Sequence, residues 1–541
     1  MEKIILAIFI GVLFFIGPGI LFDHRIKHDF PYGYFASDSF QHQIRAEAIK
    51  DAGNFKEEAF YISKGFEGAV GRYPPIIYHI AVISAYAMGI EVYDSIYFIV
   101  IFFAILSTAI IYTIIKDFNK HAALISLPLS ILAFAQPASA GILWGHWPSL
   151  LAQSFLIAFA WCLTRIDMEK SYILLTIIFT SIILSHTSEA IFAVIFLLIF
   201  VTIRFISRKL AKSDVKIIAI ALALSFAISF YYIDIFLNTW AETQPYSFVI
   251  EPLWEGNPGF YISGFGLLLI FITAGIIFSL INYRNVHVSL IFAFAMLLSG
   301  YMNYIGFGLR SFQIRFFWPL YLSVFFGFGV YALIKFVLKQ WNMAYPIALF
   351  AVLTVLLTGT LEVPLIPHYK KFTSQGIMDP YHWAALKWLS RNTEIDSKIY
   401  FFYGDIYSQD ALLRNSKRTH YQADPDSYAK AIQEGKIERS YISELPGDGG
   451  GGIKIRKGFF NYEMAYKNKP EEYFFGPQNI CKFDYLIFDK VSGVQALAQY
   501  NLLIAAELLK KDYISKAFEN EVMIILKNKN IGADCIEERS F

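Results

Sequence analysis

The stretch Ser37-Asp38-Ser39-Phe40-Gln41-His42-Gln43-Ile44-Arg45 carries three groups suited to acid–base or electrostatic chemistry. Asp38, His42 and Arg45 share one side of a helix expected to start near Asp38 and stop at Gly53, while Phe40, Ile44 and Ala48 share another. Asp38 has two compatible readings. Asp38-x-x-Gln41 is an acceptable capping box, and a carboxylate held rigid in that way can also accept a proton from a substrate hydroxyl. His42, at i+4, is either a candidate for substrate or metal contact or a solvated histidine. Arg72 and Tyr73 precede Pro74-Pro75, which fixes an extended lead into the next helix, and both are candidates for substrate or metal contact. In Gly145-His146-Trp147 the tryptophan reads as an interfacial anchor, and His146 is placed to hydrogen-bond a ligand. In Ser185-His186-Thr187-Ser188-Glu189, His186 and Glu189 at i,i+3 either cap helix ends or join Asp38 in holding a divalent metal, Mg or Mn. Arg310 and Arg315 open a late apolar stretch; each either snorkels or grips a phosphate through its planar fork.

The elements that must position these residues are membrane helices. Of 541 residues, 56% are hydrophobic and only 17% charged, which excludes an ordinary soluble enzyme and a disordered chain. Aromatic residues reach 18%, with 52 Phe and 34 Tyr, as suits a lipid-embedded surface with interfacial belts. A net charge of +2 gives no footprint for nucleic acid, and three cysteines form neither a disulfide framework nor a CxxC metal site. Eleven stretches are long and apolar enough to span, near 4–22, 93–115, 121–140, 147–164, 171–187, 189–206, 215–237, 259–281, 286–304, 315–338 and 343–361. A twelfth, from Pro74 to about Ile90, is short and reads as a surface helix.

That reading fixes the orientation. With the segment at the surface, Lys116, Lys120, Arg165, Lys170, Arg204, Arg208, Lys209, Lys212, Lys216, Arg284, Lys335 and Lys339 all fall in cytoplasmic loops. Only Arg310 and Arg315 remain in short outer ones, a ratio of 12 to 2. The N-terminus is then cytoplasmic, residues 23–92 form a long first outer loop, and the tail lies outside. All the candidate residues gather on the outer side. Few polar groups lie within spans, Asp234 and Cys162 among them, and there is no internal repeat, which argues against a transporter.

An acidic residue in the first outer loop, in the run Asp38-Ser-Phe-Gln-His42-Gln-Ile-Arg-Ala-Glu-Ala-Ile-Lys-Asp-Ala-Gly53, followed by Tyr73-Pro-Pro and an apolar surface helix, resembles the GT-C class of integral-membrane glycosyltransferases. The class includes protein mannosyltransferases, aminoarabinose transferases and oligosaccharyltransferases. The resemblance covers the order of elements over nearly the whole chain. It implies a sugar donor linked to polyprenyl or dolichyl phosphate, Asp38 as catalytic base or metal ligand, and a glycan, lipid or protein acceptor. The second outer loop, Gln136 to Pro148, lacks the acidic pair of oligosaccharyltransferases, and Asp38-Ser39 stands where protein mannosyltransferases have Asp-Glu.

The expected architecture is therefore an α-helical polytopic membrane protein of about eleven spans, GT-C-like over 1–362, with a mixed α/β extracytoplasmic domain over 363–541. In the tail, residues 380–391 and 493–511 read as helices, and 398–403, 484–488 and 521–526 as strands. Gly447–Gly452 is a flexible loop with no Gly-Lys-Ser/Thr after it. Cys481 and Cys535 lie in the part placed in an oxidising compartment and are candidates for a disulfide. The rival reading from a different class is a non-catalytic membrane scaffold that presents the tail to partners.

Overall fold

A computed structural model of the chain describes residues 2–21, 25–35, 37–53, 59, 61, 74–134, 140–241, 265–281, 287–300, 317–337, 344–358, 376–402, 410–422, 480–491 and 495–533. Its helices are α1 (Glu2–Leu21), α2 (Ser37–Ala52), α3 (Ile76–Met88), α4 (Val92–Lys116), α5 (Lys120–Ser126), α6 (Ala140–Leu143), α7 (Trp147–Thr164), α8 (Ser171–Ile183), α9 (Thr187–Ile206), α10 (Lys212–Ala241), α11 (Leu268–Ile281), α12 (Val288–Ser299), α13 (Trp318–Val337) and α14 (Ala344–Thr358). A mixed region follows: α15 (Pro380–Asn392), β1 (Lys398–Phe401), α16 (Asp410–Leu413), β2 (Thr419–Gln422), β3 (Tyr485–Asp489), α17 (Gln495–Leu508), β4 (Ile514–Glu519) and β5 (Met523–Asn528).

The chain forms two compact units. One comprises Met1–Lys27 with Tyr73–Ser374, the other His28–Arg72 with Gln375–Phe541. Helix α2, in the first loop, folds with the tail. The reason is polar: α2 is too hydrophilic to bury itself against lipid-type helices, and its buried amide Gln43, its buried acid Glu47 and its more exposed Asp51 find partners on residues 415 and 417.

In the first unit every stretch expected to span contains a helix. Among the described residues five helices, Val92–Lys116, Trp147–Thr164, Thr187–Ile206, Lys212–Ile233 and Trp318–Val337, are long and apolar enough to cross a membrane. Their outward faces carry bare apolar side chains, among them Leu198, Phe205, Phe230 and Phe336, the last 84% exposed, as lipid-facing positions require. The protein is a multi-pass membrane protein. Several hydroxyls inside the spans bond their own helix, as Ser107 does to the Phe103 carbonyl at 2.7 Å and Thr113 to that of Ala109 at 2.8 Å. Glycine allows α11 and α13 to approach closely: a Cβ on Gly275 would stand 1.9 Å from the Phe325 carbonyl oxygen, and one on Gly329 1.9 Å from that of Phe271. The stretch expected as one span over 121–140 departs from a plain α-helix. After α5 it continues as a 3-10 helix, Leu127–Phe134, which contains Pro128; the missing N–H there breaks the α-helical ladder. The short apolar helix α3 buries Ile77, Tyr78, Ala81, Val82 and Ala85 and leaves Ile83, Tyr86 and Met88 exposed. It is fastened by the Ile76 N–H to the Leu184 carbonyl at 3.1 Å and by Ser95 Oγ to that of Ala81 at 2.7 Å.

The second unit is built on a five-stranded sheet of order β2-β1-β3-β5-β4. β1 runs parallel to β2 and β3, and β5 antiparallel to β3 and β4. β3 is buried along its whole length, as a central strand covered on both faces must be. The strands expected at 398–403, 484–488 and 521–526 are β1, β3 and β5; β2 and β4 are additions. Cys481 is disulfide-bonded, Cys535 lies outside the described residues, and Cys162 is free and buried. Residues 28–35 join this unit through Tyr34, which bridges Gly376 in parallel and accepts the Ile377 N–H at 2.8 Å. Gly376 sits at φ +88 with the Tyr34 backbone so near that a Cβ would meet its oxygen at 2.4 Å, so glycine is required on both counts.

Candidate functional site

α2 begins one residue before Asp38 and ends where expected, with the Gly53 N–H bonded to the Ile49 carbonyl at 3.1 Å and Gly53 at φ +68. Asp38 is thus a first-turn acid rather than the N-cap. It favours the positive end of the helix dipole, and its side chain is partly exposed. The helix is polar in composition yet buried from Ser39 to Ile49. His42 is 6% exposed, which rules out the solvated reading, and Arg45 is likewise buried. Phe40, Ile44 and Ala48 are fully buried, with Ile44 and Ala48 packed on Tyr61.

The polar positions of α2 have partners distant in sequence. Gln43 Nε2 donates to Asn415 Oδ1 at 3.1 Å, in the interior. Lys417 Nζ pairs with Glu47 Oε1 at 3.2 Å and with Asp51, which also accepts from the Tyr61 hydroxyl at 2.6 Å. Burial pushes the Lys417 ammonium down, but Glu47 and Asp51 outweigh it and the net shift is upward. Lys417 itself stands in the left-handed region at φ 53, at the end of the 3-10 turn Arg414–Ser416.

In the first unit, His186 and Glu189 bond one another through His186 Nδ1 and Glu189 Oε2. Glu189 is 1% exposed, and its other oxygen accepts from Ser149 Oγ at 2.6 Å and, at 3.5 Å, from Gln153 Nε2. Gln153 Oε1 in turn accepts the Phe317 N–H at 2.8 Å and the Tyr321 hydroxyl at 3.0 Å. The network thus joins the α8–α9 turn, the middle of α7 and the start of α13, two residues along the chain from Arg315. His186 is the N-cap of α9 but makes no side-chain cap bond, so it serves Glu189 rather than the helix end. His146 is buried at the N-cap of α7 and gives its backbone N–H to Gly141 at 2.9 Å. Trp147 is not an interfacial anchor: it is fully buried, donates Nε1–H to the Ile142 carbonyl at 2.7 Å and packs against Tyr97.

Arg72, Tyr73, Arg310 and Arg315 lie outside the described residues, as do 136–139 of the second outer loop and 242–258. Sequence reasoning missed Ser149, Gln153 and Tyr321 in one unit, and Asn415 and Lys417 in the other. The only local signal was Gln153, an amide in the middle of an apolar helix. Both Glu189 oxygens are already engaged by protein donors, and among the described residues no three His, Cys, Asp or Glu side chains converge as a metal set. A Mg or Mn ion therefore finds no ligand cage there.

No protein-family model matches the chain, and no curated protein is similar to it in sequence. Solved structures are similar in fold. A crystal structure of the Archaeoglobus fulgidus oligosaccharyltransferase in the apo form gives a TM-score of 0.54 at 12% identity, over 92% of this chain and 72% of that one. ArnT from Cupriavidus metallidurans in the apo state gives 0.51 at 10% identity, over 96% and 97% of the two chains. The same ArnT bound to undecaprenyl phosphate gives 0.52 at 10% identity, over 98% of each. The chain has a GT-C-like fold from end to end, a polytopic helical unit followed by a mixed α/β tail.

Proposed function

We propose that the protein is a membrane glycosyltransferase that moves a sugar from a polyprenyl-phosphate-linked donor to an acceptor on the outer face of the membrane. The observation that carries the reading is the fold shared along the full length of ArnT, one structure of which holds undecaprenyl phosphate, in a chain with an acid at the start of its first-loop helix. Asp38 takes the proton of the acceptor hydroxyl as that oxygen forms its bond to the anomeric carbon. The bond from that carbon to the donor phosphate oxygen breaks, and the polyprenyl phosphate leaves with the electron pair. Arg315, helped by Arg310, stabilises the negative charge developing on the phosphate. His42, Arg72, Tyr73 and His146 are proposed to contact sugar or acceptor, whereas His186 and Glu189 act as the brace described above. Transfer of a single sugar fits better than en bloc oligosaccharide transfer, because the segment 136–148 carries no acid. A disulfide at Cys481 supports an extracytoplasmic tail, since such bonds persist in oxidising compartments.

The test separates the two roles with a tritiated polyprenyl-phosphate hexose as donor and native membranes supplying the acceptor. Asp38→Asn lowers the single-turnover rate by about 10²–10⁴ and leaves donor affinity nearly intact. Arg315→Ala weakens donor binding by about 1.5–3 kcal/mol, and Arg315→Lys recovers only part of it. An unchanged rate in Asp38→Asn returns that residue to a purely structural role. An unchanged donor affinity in Arg315→Ala makes the arginine an interfacial anchor.

A further inference from the structure

α2 is hydrophilic in sequence and core-like in burial, and such a helix stays in place only where its buried polar groups are individually satisfied. Three of its bonds come from a single short turn of the tail, at 415 and 417. Asn415 meets the middle of the helix at Gln43, and Lys417 meets its last turns at Glu47 and Asp51. Two acids near a helix C-terminus oppose the helix dipole, and Lys417 adds a cation there to the one α2 itself carries in its last turn, Lys50. The lysine that does so occupies a left-handed backbone conformation that a non-glycine residue adopts at a cost. The strained residue and the clamp are the same residue.

We infer that Lys417 is a positioning residue for the transfer step: through Glu47 and Asp51 it fixes the direction of α2 and so the place of Asp38. The inference rests on the reading of Asp38 as the base. Nine residues of helix separate Asp38 from Glu47, a lever of about 13 Å, so a tilt of about 5° at the clamp moves Asp38 by about 1 Å. A displacement of that size can cost about 10²-fold in rate. A clamp at the far end of the helix therefore controls the chemistry without touching substrate.

The experiment uses the full-length protein and the variant Lys417→Asn. Asparagine tolerates the left-handed conformation, so the change removes the ammonium without adding backbone strain. Hydrogen exchange of α2 amides should quicken while those of β1, β3 and β5 keep their protection, which shows that the tail remains folded. With the tritiated polyprenyl-phosphate hexose in native membranes, the single-turnover rate should fall about 10- to 100-fold with donor Kd unchanged within about twofold, and Lys417→Arg should recover most of the rate. Unaltered α2 exchange overturns the proposal. So does a wild-type rate in Lys417→Asn when Asp38→Asn, measured beside it, has lost turnover; in that case the base assignment stands and only the positioning role falls. A wild-type rate in Asp38→Asn removes the base assignment, and the positioning role with it.

Discussion

His382 offers a sharp test of how the tail is held. It lies in the first turn of α15, with Nδ1 bonded to the N-cap Asp379 and Nε2 3.3 Å from Asp489 Oδ2 at the end of β3. The trio ties helix to sheet. Burial alone would depress the His382 pKa, but the hydrogen bonds and charges of Asp379 and Asp489 overcome that and raise it from 6.5 to about 9. A folded-state value above the unfolded one means that the stabilisation is complete below the unfolded value of 6.5 and disappears as the pH climbs through about 9. The shift corresponds to a ceiling of about 3 kcal/mol below pH 6, about 2 kcal/mol near pH 7.5 and almost nothing at pH 10. Asp379 moves the other way: burial pushes it up, yet the bonds from His382 and from two backbone N–H groups hold it below the usual aspartate value of 3.8. Its share is present above that value and lost as the pH falls beneath it, and it is the same interaction, so the two are not summed. The assay is amide exchange of β3 and α15 in the full-length protein between pH 6 and 10, corrected for intrinsic exchange and converted to opening free energies. These should decline across pH 6.5–9, and Asp489→Asn should remove about half of that slope. A flat profile, or an unaltered slope in Asp489→Asn, would show that the carboxylates do not hold a histidinium.

Other outcomes follow from the same reasoning. Glu189→Leu deprives buried Ser149 and Gln153 and half-buried His186 of their carboxylate and should cost about 3–5 kcal/mol, whereas Glu189→Gln should cost about 1–2; equal thermal stability of Glu189→Leu and wild type in detergent would refute the network. Gly329→Val forces side-chain atoms against the Phe271 carbonyl and should lower Tm by at least about 5 °C, while Gly11→Ala, which meets nothing within 4 Å, should leave it unchanged. A cysteine at position 450 should react with an impermeant reagent in sealed cells and one at 209 should not; the reverse pattern would invert the proposed orientation.

Much of the fold was legible because it is written in local patterns. Long apolar runs marked the helices of the first unit, and Asp38 with Gly53 bracketed α2 to within a residue. β1, β3 and β5 showed as short β-branched and aromatic runs. β2, Thr-His-Tyr-Gln, and β4, Ile-Ser-Lys-Ala-Phe-Glu, lie at the two edges of the sheet and did not, because they carry too many polar residues to stand out. Trp147 was misread for a different reason. Tryptophan beside a span end usually sits in the interfacial belt, but here a carbonyl five residues back satisfies its indole N–H, and burial becomes favourable.

The parts that were not legible share one physical cause. A buried polar side chain must be hydrogen-bonded, and in these helices the main chain already uses its own groups along the ladder, so many partners come from elsewhere. Gln153 reaches Phe317 and Tyr321, and Gln43 reaches Asn415 across 372 positions. Hydropathy averages such a residue into its neighbours and treats it as noise. Yet a lone amide in an apolar helix, or a buried acid whose own helix does not fill all its acceptor sites, is where the cost of burial is highest and a distant partner most strongly required. The carboxylate of Glu189 is excluded from water and held by groups on two helices, so it fixes the spacing of α7 and α9, and Gln153 extends that constraint to the backbone where α13 begins. The same logic runs through α2 and residue 417. In the first unit His146 and His186 sit at helix starts that non-local polar bonds hold, and in the second the helix that carries Asp38 is held at its middle and far end. This is the arrangement that electrostatic catalysis needs, since groups aimed at developing charge act only if they do not reorganise as it appears.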